Sequence, residues 1–339
     1  SRRGAGRRNP QGRSPGRATL LRVLTPEDLA AARARVATLV PPTPAIRWPQ
    51  LEEITGTPTW VKHENHTPTG AFKVRGGVNF LARLRREHPD CPGLISATRG
   101  NHGQSLALAG HAAGLGVTIV VPEGNSPDKN RAMQAHGAEL IVHGRDYQAA
   151  RERAEKLARK RSLVVVPPFH PWLVEGVATY AAELHEQVRD LDVVYVPVGM
   201  GSGIAANIAV RDVLGLDCEV VGVVAKRAPA YALSFAAREP VSTETADTFV
   251  DGVACRVPDP AALETIVWGA SRFVKVPEKG TREAMRILYA TTHNLPEPAG
   301  AIALAGRLAD PLAVKGQRVG IVMTGGNADW SVLRAVMEE

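Results

Sequence analysis

The segment DVVYVPVGMGSG, residues 192–203, joins an apolar run to a glycine-rich turn. A run with so few polar residues is typical of a strand that is covered on both faces, as in a parallel sheet. A helix is predicted to begin near Ile204, so that backbone N–H groups and the positive helix end point into the turn at 199–203. This stretch therefore predicts a strand, an anion-binding turn and a helix, the unit from which α/β proteins are built.

Similar apolar runs alternate with helical patterns from residue 93 onward. They are GLISA (93–97), VTIVV (117–121), ELIV (139–142), LVVV (163–166), EVVGVV (219–224), RFVKV (272–276) and RVGIVM (318–323). Ser126 and Asp146 are predicted helix caps, with Pro127 in a first turn and Gly137 at a helix end. The alternation predicts a doubly wound α/β protein with open twisted sheets and helices on both faces.

The net charge of +7 does not indicate a nucleic-acid partner. Lys and Arg number 41 and Asp and Glu 34, but residues 1–17 hold six arginines and no acid, which leaves 35 basic and 34 acidic residues in the body. We expect this Arg-rich tail to be disordered. Nucleic-acid binding through the tail is the alternative from a different class of function, and no RNA- or DNA-binding fold pattern supports it.

Hydropathy and cysteine content further restrict the class of protein. No apolar run reaches the ~18 residues that a membrane span needs, and 44% of the residues are hydrophobic, enough for a sizeable core. The three cysteines, Cys91, Cys218 and Cys255, are widely spaced and form no CxxC motif, which favours neither a disulfide framework nor a zinc site. We expect a cytoplasmic setting and no membrane partner.

Three glycine-rich segments follow predicted strands, where ligands bind in open α/β sheets. They are residues 100–103, 199–203 and 324–327. The second is similar to a dinucleotide-binding turn, but Ile204 stands where GxGxxG requires its third glycine, and no GK[ST] follows as in a P-loop. A cup for a single phosphate, without a nucleotide signature, is the interpretation that remains.

A phosphate cofactor other than a nucleotide directs attention to lysines, because pyridoxal phosphate is held by its phosphate and by a Schiff base. In TGAFKVRGG, residues 69–77, Lys73 lies beside Phe72 and between glycines. Partial desolvation and the neighbouring cation Arg75 are both expected to lower the pKa of Lys73, as an imine-forming amine requires. A surface lysine in a flexible turn is the alternative for this segment taken alone.

Several segments together resemble the fold-type II pyridoxal-phosphate enzymes, which share the architecture of the tryptophan synthase beta subunit. The resemblance is closest to the serine/threonine dehydratase branch, whose relatives include serine racemase, cysteine synthase and threonine synthase. The segments follow the family's order over roughly residues 20–335. They are HENHTPTGAFKVRGG (63–77), SATRGNHGQ (96–104), GAELIVHGRDYQAA (137–150), VPVGMGSG (196–203), PEPAGA (296–301) and MTGGNAD (323–329).

The resemblance implies pyridoxal 5′-phosphate as cofactor and gives each matching residue a role. Lys73 is the implied Schiff-base lysine, with Phe72 packed against the cofactor ring. The other implied contacts are Asn101 at the 3′-oxygen, the turn Gly199, Met200, Gly201, Ser202 and Gly203 at the phosphate, Gly252 near the ring, Glu297 near the far edge and Thr324 at the pyridine nitrogen. A hydroxyl at that nitrogen makes the ring a weaker electron sink and favours elimination.

The substrate's carboxylate is expected at the turn after GLISA. Backbone N–H groups of Thr98, Arg99, Gly100, Asn101 and His102, at the start of a predicted helix, suit an anion. The resemblance favours backbone contact for His102 over a role as general base. In the implied reaction Lys73 removes the α-proton of threonine or serine and the cofactor phosphate protonates the departing β-hydroxyl, which gives a 2-oxo acid and ammonia.

Three departures from the family pattern affect what the resemblance implies. Arg99 replaces a serine of serine racemase, so hydroxyl-based racemisation is not expected; Arg99 is either a surface residue or a clamp for a second carboxylate, as for a hydroxyaspartate-type substrate. Val224 and Ala230 stand where some relatives bind a divalent cation through Glu and Asp, so no metal is expected. GVATYAAEL (176–184) replaces the relatives' G-Q-G-T segment, which leaves substrate specificity open.

The sequence also predicts a division into domains and an oligomeric state. We expect a tail at 1–17, a large cofactor-binding domain at 18–84 and 162–339, and a small mobile domain at 85–161 that closes over substrate. The chain ends at Glu339, soon after MTGGNAD, so no C-terminal regulatory domain is expected. A homodimer or homotetramer is expected, as in relatives. β-Replacement and racemisation stay open as alternatives, although GNHG, rather than the GNT of the synthases, favours elimination.

Overall fold

The computed structural model describes residues 24–339, so the predicted tail at 1–17 lies outside the described residues. The strands of this part are β1 (Ala45–Arg47), β2 (Thr59–His63), β3 (Gly93–Ala97), β4 (Gly116–Val121), β5 (Glu139–Val142), β6 (Val164–Val165), β7 (Val193–Pro197), β8 (Glu219–Ala225), β9 (Arg272–Val276) and β10 (Val319–Met323). The helices are α1 (Pro26–Val36), α2 (Pro49–Thr55), α3 (Lys73–Glu87), α4 (Asn101–Ala112), α5 (Pro127–Ala135), α6 (Tyr147–Arg161), α7 (Pro171–Gln187), α8 (Ser202–Val213), α9 (Ala230–Ala237), α10 (Pro260–Gly269), α11 (Glu278–Thr292), α12 (Pro298–Ala309) and α13 (Trp330–Met337).

The strands form two separate sheets. The larger has the order β1-β2-β10-β7-β8-β9, and the smaller has the order β5-β4-β3-β6. Every pairing is parallel except that of β1 with β2. All eight apolar runs predicted as strands form strands, and the α/β fold with two open sheets is confirmed.

Helices cover both faces of the larger sheet. In β7, Val194 and Val196 pack with the residues of α7 and α8, whereas Val193 and Tyr195 point to the opposite face and pack with α11 and α12. All five residues of this strand are buried. The unbroken apolar run is thus explained by burial on both faces, as predicted.

The smaller sheet is also covered on both faces. Ile95 and Val120 pack against α6, and Leu94 and Ile119 pack against the helices α3, α4 and α5. Asp146 accepts a hydrogen bond from a first-turn N–H of α6, as the sequence predicted. Strand β6, which follows the predicted boundary between residues 161 and 162, pairs with β3 in this sheet. The division into a large and a small mobile domain stays a prediction.

The carboxyl ends of β3, β7 and β10 carry the three glycine-rich segments. Ala71, just before α3, forms an isolated β-bridge with Gly325, which follows β10. The start of α3 is thereby placed against the carboxyl end of the larger sheet. No helix among the described residues is long and apolar enough to cross a lipid bilayer.

Candidate active site

A tight turn delivers Lys73 to the first position of α3. Gly70 in this turn has a φ of +66°, and a Cβ there would come 2.7 Å from the side-chain oxygen of Asn327. Phe72 donates its backbone N–H to the carbonyl of Thr324 at 3.0 Å. Glycine is needed at position 70 for both its backbone angle and its lack of a side chain. The segment after β10 therefore anchors the residues that precede Lys73.

The side chain of Lys73 reaches the turn that the sequence predicts to bind phosphate. Its Nζ donates a hydrogen bond to Oγ of Ser202 at 3.1 Å and lies 5.0 Å from the centroid of the Phe72 ring. Burial lowers the pKa of Lys73 to about 8. An amine with this pKa is partly unprotonated near neutral pH, so it can act as a nucleophile and as a base.

The prediction that Arg75 lowers the pKa of Lys73 is wrong. Arg75 is fully buried, and it donates from Nε to Glu64 at 2.7 Å and from Nη1 to Glu183 at 2.6 Å. Lys62 donates to the second oxygen of Glu183, also at 2.7 Å. Two carboxylates therefore balance the two buried cations, and burial alone lowers the pKa of Lys73. The cluster fixes the first turn of α3 instead of tuning the lysine.

The turn between β7 and α8 is shaped by glycines that no larger residue could replace without movement. Gly201 has a φ of +93°, and a Cβ there would come 2.7 Å from Cβ of Ala262. A Cβ on Gly199 would come 2.3 Å from the carbonyl oxygen of Gly252. Helix α8 begins at Ser202, two residues before the predicted start, so its N-terminal N–H groups are aimed at the turn. The turn has the form of an anion cradle.

Hydrogen bonds from neighbouring residues hold the rest of the phosphate turn. The hydroxyl of Tyr231 donates to the carbonyl of Met200 at 3.0 Å and accepts the backbone N–H of Asp259, also at 3.0 Å. Gly203 lies in the first turn of α8, and its carbonyl accepts a hydrogen bond from Asn207 at 2.9 Å. These contacts keep the predicted phosphate turn in one shape.

A hydrogen-bonded chain connects Asn101 to the opposite side of the site. Its Nδ2 donates to Oε1 of Glu297 at 2.7 Å, and its Oδ1 accepts from Nδ2 of Asn327 at 2.8 Å. Burial raises the pKa of Glu297 to about 7, although the positive charge of Lys129 acts in the opposite direction. Asn101 and Glu297, 196 residues apart in sequence, are therefore in one site.

Thr324 and Gly252 lie near each other beside α12. The buried hydroxyl of Thr324 donates to the carbonyl of Ala299 at 3.1 Å. A Cβ on Gly252 would come 2.6 Å from Cβ of Ala299. The structure thus brings these two predicted ring contacts to the same helix start, while their roles toward a cofactor stay predictions.

The turn predicted to bind a carboxylate ends in an uncapped helix. Gly100 donates its N–H to Oγ1 of Thr98 at 3.2 Å, and α4 begins at Asn101 without a side-chain cap. Burial lowers the pKa of His102 to about 3, so its ring is neutral and a weak base. Arg99 is exposed and makes no ion pair with a described residue, and its predicted role stays a prediction.

The predicted lack of a metal rests on Val224 and Ala230. Val224 is buried in β8 and Ala230 is buried at the start of α9, and neither side chain carries an oxygen. Between residues 24 and 339 no group of three or more His, Cys, Asp or Glu side chains is arranged to hold an ion.

Two contributors to the site escaped sequence reasoning. Asn327 binds both Asn101 and the carbonyl of Thr69, the latter at 2.7 Å. Its place in MTGGNAD, after a predicted strand, was the available signal. Lys129 lies against Gly100 from the neighbouring helix α5, and no local pattern in the sequence indicates this contact.

An enzyme built around a phosphate-bearing aldehyde needs an amine for the aldehyde and a turn for the phosphate. Here Lys73 and residues 199–203 supply them within hydrogen-bonding distance of each other. This combination defines an α/β enzyme with a carbonyl cofactor, and the start of α8 at Ser202 presents backbone N–H groups to a phosphate. The chain matches the family described as pyridoxal-phosphate dependent enzyme over residues 36–325 and belongs to it. Its cofactor is pyridoxal phosphate, as predicted.

Similarity to known proteins extends over nearly the whole chain. The chain is 31% identical over 319 residues to the L-threonine ammonia-lyase of Thermotoga maritima, covering 94% of this chain and 79% of that protein. It is 30% identical over 300 residues to the biosynthetic L-threonine dehydratase of Haemophilus influenzae, covering 87% of this chain and 58% of that protein. The processed threonine deaminase isoform 2 of Solanum lycopersicum superposes with a TM-score of 0.85 at 26% identity, over 96% of this chain and 98% of that chain.

Proposed function

We propose that this protein dehydrates a small β-hydroxy amino acid, threonine first and serine second, to a 2-oxo acid and ammonia. The observation that carries the proposal is the position of Lys73, whose buried Nζ lies 3.1 Å from Ser202 in the phosphate turn. Similarity to proteins named threonine ammonia-lyase and threonine dehydratase supports the reaction class.

Lys73 is the residue that moves the proton. Pyridoxal phosphate, when bound, supplies an aldehyde that takes up the substrate amine and a ring that withdraws electrons from Cα. Nζ of Lys73, with its pKa of about 8, accepts the proton from Cα of the substrate. The electron pair of the broken Cα–H bond forms a Cα–Cβ double bond as the Cβ–O bond breaks, and the departing hydroxyl leaves as water with a proton that the cofactor phosphate would supply. The released enamine tautomerises and hydrolyses to the 2-oxo acid and ammonia.

Other residues would bind and orient the cofactor and the substrate. The N–H groups at the start of α8 would hold the cofactor phosphate, and Asn101 would orient the ring, since its side chain is fixed between Glu297 and Asn327. The uncapped start of α4 supports carboxylate binding by backbone N–H groups within residues 98–102, above all those of Asn101 and His102, because Thr98 and Gly100 already donate theirs to Val120 and to Oγ1 of Thr98. Rigid placement of both anions would set Cα next to Nζ of Lys73.

The exposed side chain of Arg99 offers no support for a clamp on a second carboxylate, so a hydroxyaspartate-type substrate is less favoured than threonine. β-Replacement and racemisation remain alternatives within the same fold. They differ in product: elimination releases a 2-oxo acid, replacement needs a second nucleophile, and racemisation conserves the amino acid.

We also propose a cytoplasmic location and a homo-oligomeric state. Cys91, Cys218 and Cys255 form no disulfide, which supports a reducing compartment. Trp268 and Trp330 are 80% and 70% exposed, and large apolar side chains on a surface favour self-association. Sedimentation of the holoenzyme tests the oligomer.

A substrate panel tests the proposed reaction. The holoenzyme is incubated with L-threonine, L-serine and hydroxyaspartate, with and without sulfide, and 2-oxo acid, ammonia and the enantiomeric composition are measured. We expect 2-oxo acid and ammonia in equal amounts from threonine without sulfide. Products that appear only with sulfide, or D-amino acid without 2-oxo acid, would overturn the proposal in favour of replacement or racemisation.

A further inference from the structure

The side chain of Lys129 lies directly over the turn that precedes α4. Lys129 is in the first turn of α5, and a Cβ on Gly100 would come 2.8 Å from Cδ of Lys129 and 3.5 Å from its Cε. Only 15% of the Lys129 side chain is exposed. The aliphatic stem therefore covers Gly100 and carries the ammonium group past the turn.

The ammonium group of Lys129 lies near two carboxyl groups, those of Asp251 and Glu297. Nζ of Lys129 is 3.7 Å from Oδ2 of Asp251, which is close enough for an ion pair but too long for a good hydrogen bond. Its charge also acts on the buried carboxyl of Glu297. A cation held only loosely by Asp251 is able to exchange that partner for another anion.

The position of Lys129 is fixed by the start of its helix. Ser126 caps α5 by accepting the backbone N–H of Lys129 at 3.2 Å. The same hydroxyl donates to Asp329, next to α13. The helix that carries Lys129 is thus tied across the site, and only the flexible stem beyond Cα remains free to adjust.

We propose that Lys129 binds the carboxylate of the amino-acid substrate and that Asp251 competes with the substrate for its ammonium group. The inference rests on the proposed function, because it takes the substrate carboxylate to lie at residues 98–102. Thr98 and Gly100 already donate their N–H groups within the protein, so the start of α4 supplies few hydrogen bonds and no full charge, and Arg99 is exposed. Lys129 supplies the missing charge, so it selects amino acids over amines.

Binding of unreactive ligands tests this role. L-Alanine lacks a leaving group, and ethylamine lacks the carboxylate as well; the dissociation constant of each is measured from the absorbance change of the holoenzyme's cofactor. We expect Lys129→Gln to weaken alanine binding about tenfold or more, to leave ethylamine binding unchanged, and Lys129→Arg to restore much of the loss. Lys156→Gln, on the exposed side of α6, is the matched control and should change neither constant.

Asp251→Asn separates this role from a structural one. Removal of the competing carboxylate of Asp251 should tighten alanine binding. Asp251→Asn should therefore lower the dissociation constant of alanine, whereas Lys129→Gln should raise it. If both weaken it equally, or if Lys129→Gln binds alanine like the wild type, the inference is overturned. The proposed function fails separately: alanine binding that follows our expectation, without release of 2-oxo acid from threonine or serine, would contradict the reaction and leave the role of Lys129 standing.

Discussion

Nδ2 of Asn101 donates a hydrogen bond to Oε1 of Glu297 at 2.7 Å and thereby joins the two sheets at the candidate active site. Asn101 begins α4, which covers the smaller sheet, and Glu297 directly precedes α12, which covers the larger one. The acceptor is a carboxyl that is buried and whose pKa is raised to about 7. The stability of the fold should therefore depend on the protonation of Glu297.

Glu297→Gln should remove a pH-dependent loss of stability. Because the folded carboxyl keeps its proton up to about pH 7 and the unfolded one releases it near 4.5, the wild type's free energy of unfolding falls as pH rises between these values. The loss is about 3 kcal/mol and is complete above pH 7. Urea denaturation at pH 4.5 and pH 8 should show the variant gaining this amount relative to the wild type. The same difference at both pH values would contradict the raised pKa.

Arg75→Ala should destabilise the protein by about 3–5 kcal/mol, because it leaves the carboxylates of Glu64 and Glu183 buried without their main partner. The matched control is Arg33→Ala, since the ion pair of Arg33 with Glu186 is half exposed and should contribute about 0–1 kcal/mol. Denaturant unfolding of both variants measures how much unfolding free energy each one loses. Equal losses would show that the buried cluster does not hold the start of α3 as described.

Gly201→Ala should weaken cofactor binding. Its Cβ would meet Cβ of Ala262 at 2.7 Å, and its φ of +93° is strained for alanine, so the turn must shift away from its anion-binding shape. Gly215→Ala, with a φ of +63° and nothing within 4 Å, carries backbone strain without a clash and is the control. Titration of each apoprotein with pyridoxal phosphate should give a dissociation constant raised about tenfold or more for the first and unchanged for the second. Equal constants would argue against residues 199–203 as the phosphate site.

Deletion of residues 1–17 should leave activity on threonine unchanged, because the segment lies outside the matched family region. It should also remove any salt-dependent binding to nucleic acid, since six arginines are lost and the rest is near neutral. Steady-state kinetics and a salt titration of DNA binding check the two parts. A large loss of activity would give the tail a role in catalysis.

The strands predicted from the sequence are runs of mostly apolar residues, although β9 also holds Arg272 and the exposed Lys275. Strand β2 was missed because Lys62 and His63 interrupt such a run; both are buried, and Glu183 of α7 supplies a charge partner for Lys62. Pairing of this kind depends on a residue 121 positions away and leaves no periodic pattern. Strand β1, with three residues, is too short for a pattern to be recognised.

Residues of the candidate site were predicted where they lie in a sequence motif. They were missed where their position depends on packing. Lys73 and Asn101 follow glycine-rich turns whose chemistry is local. Because Arg75 is close to Lys73 in sequence, it was predicted to lower the pKa of Lys73. The carboxylates of Glu64 and Glu183 neutralise Arg75 instead. Lys129 reaches Gly100 only because α5 packs beside α4, which no sequence pattern states.

The central claim is that Lys73 both holds the cofactor and removes the proton. The most direct test is Lys73→Ala, with Lys156→Ala as an exposed control: the visible absorbance of the lysine-linked cofactor and the rate of 2-oxo acid release from threonine are measured on the same samples. We predict that Lys73→Ala loses the absorbance band and at least about a thousandfold of the rate together, while the control keeps both. Full turnover without the absorbance band would contradict the account.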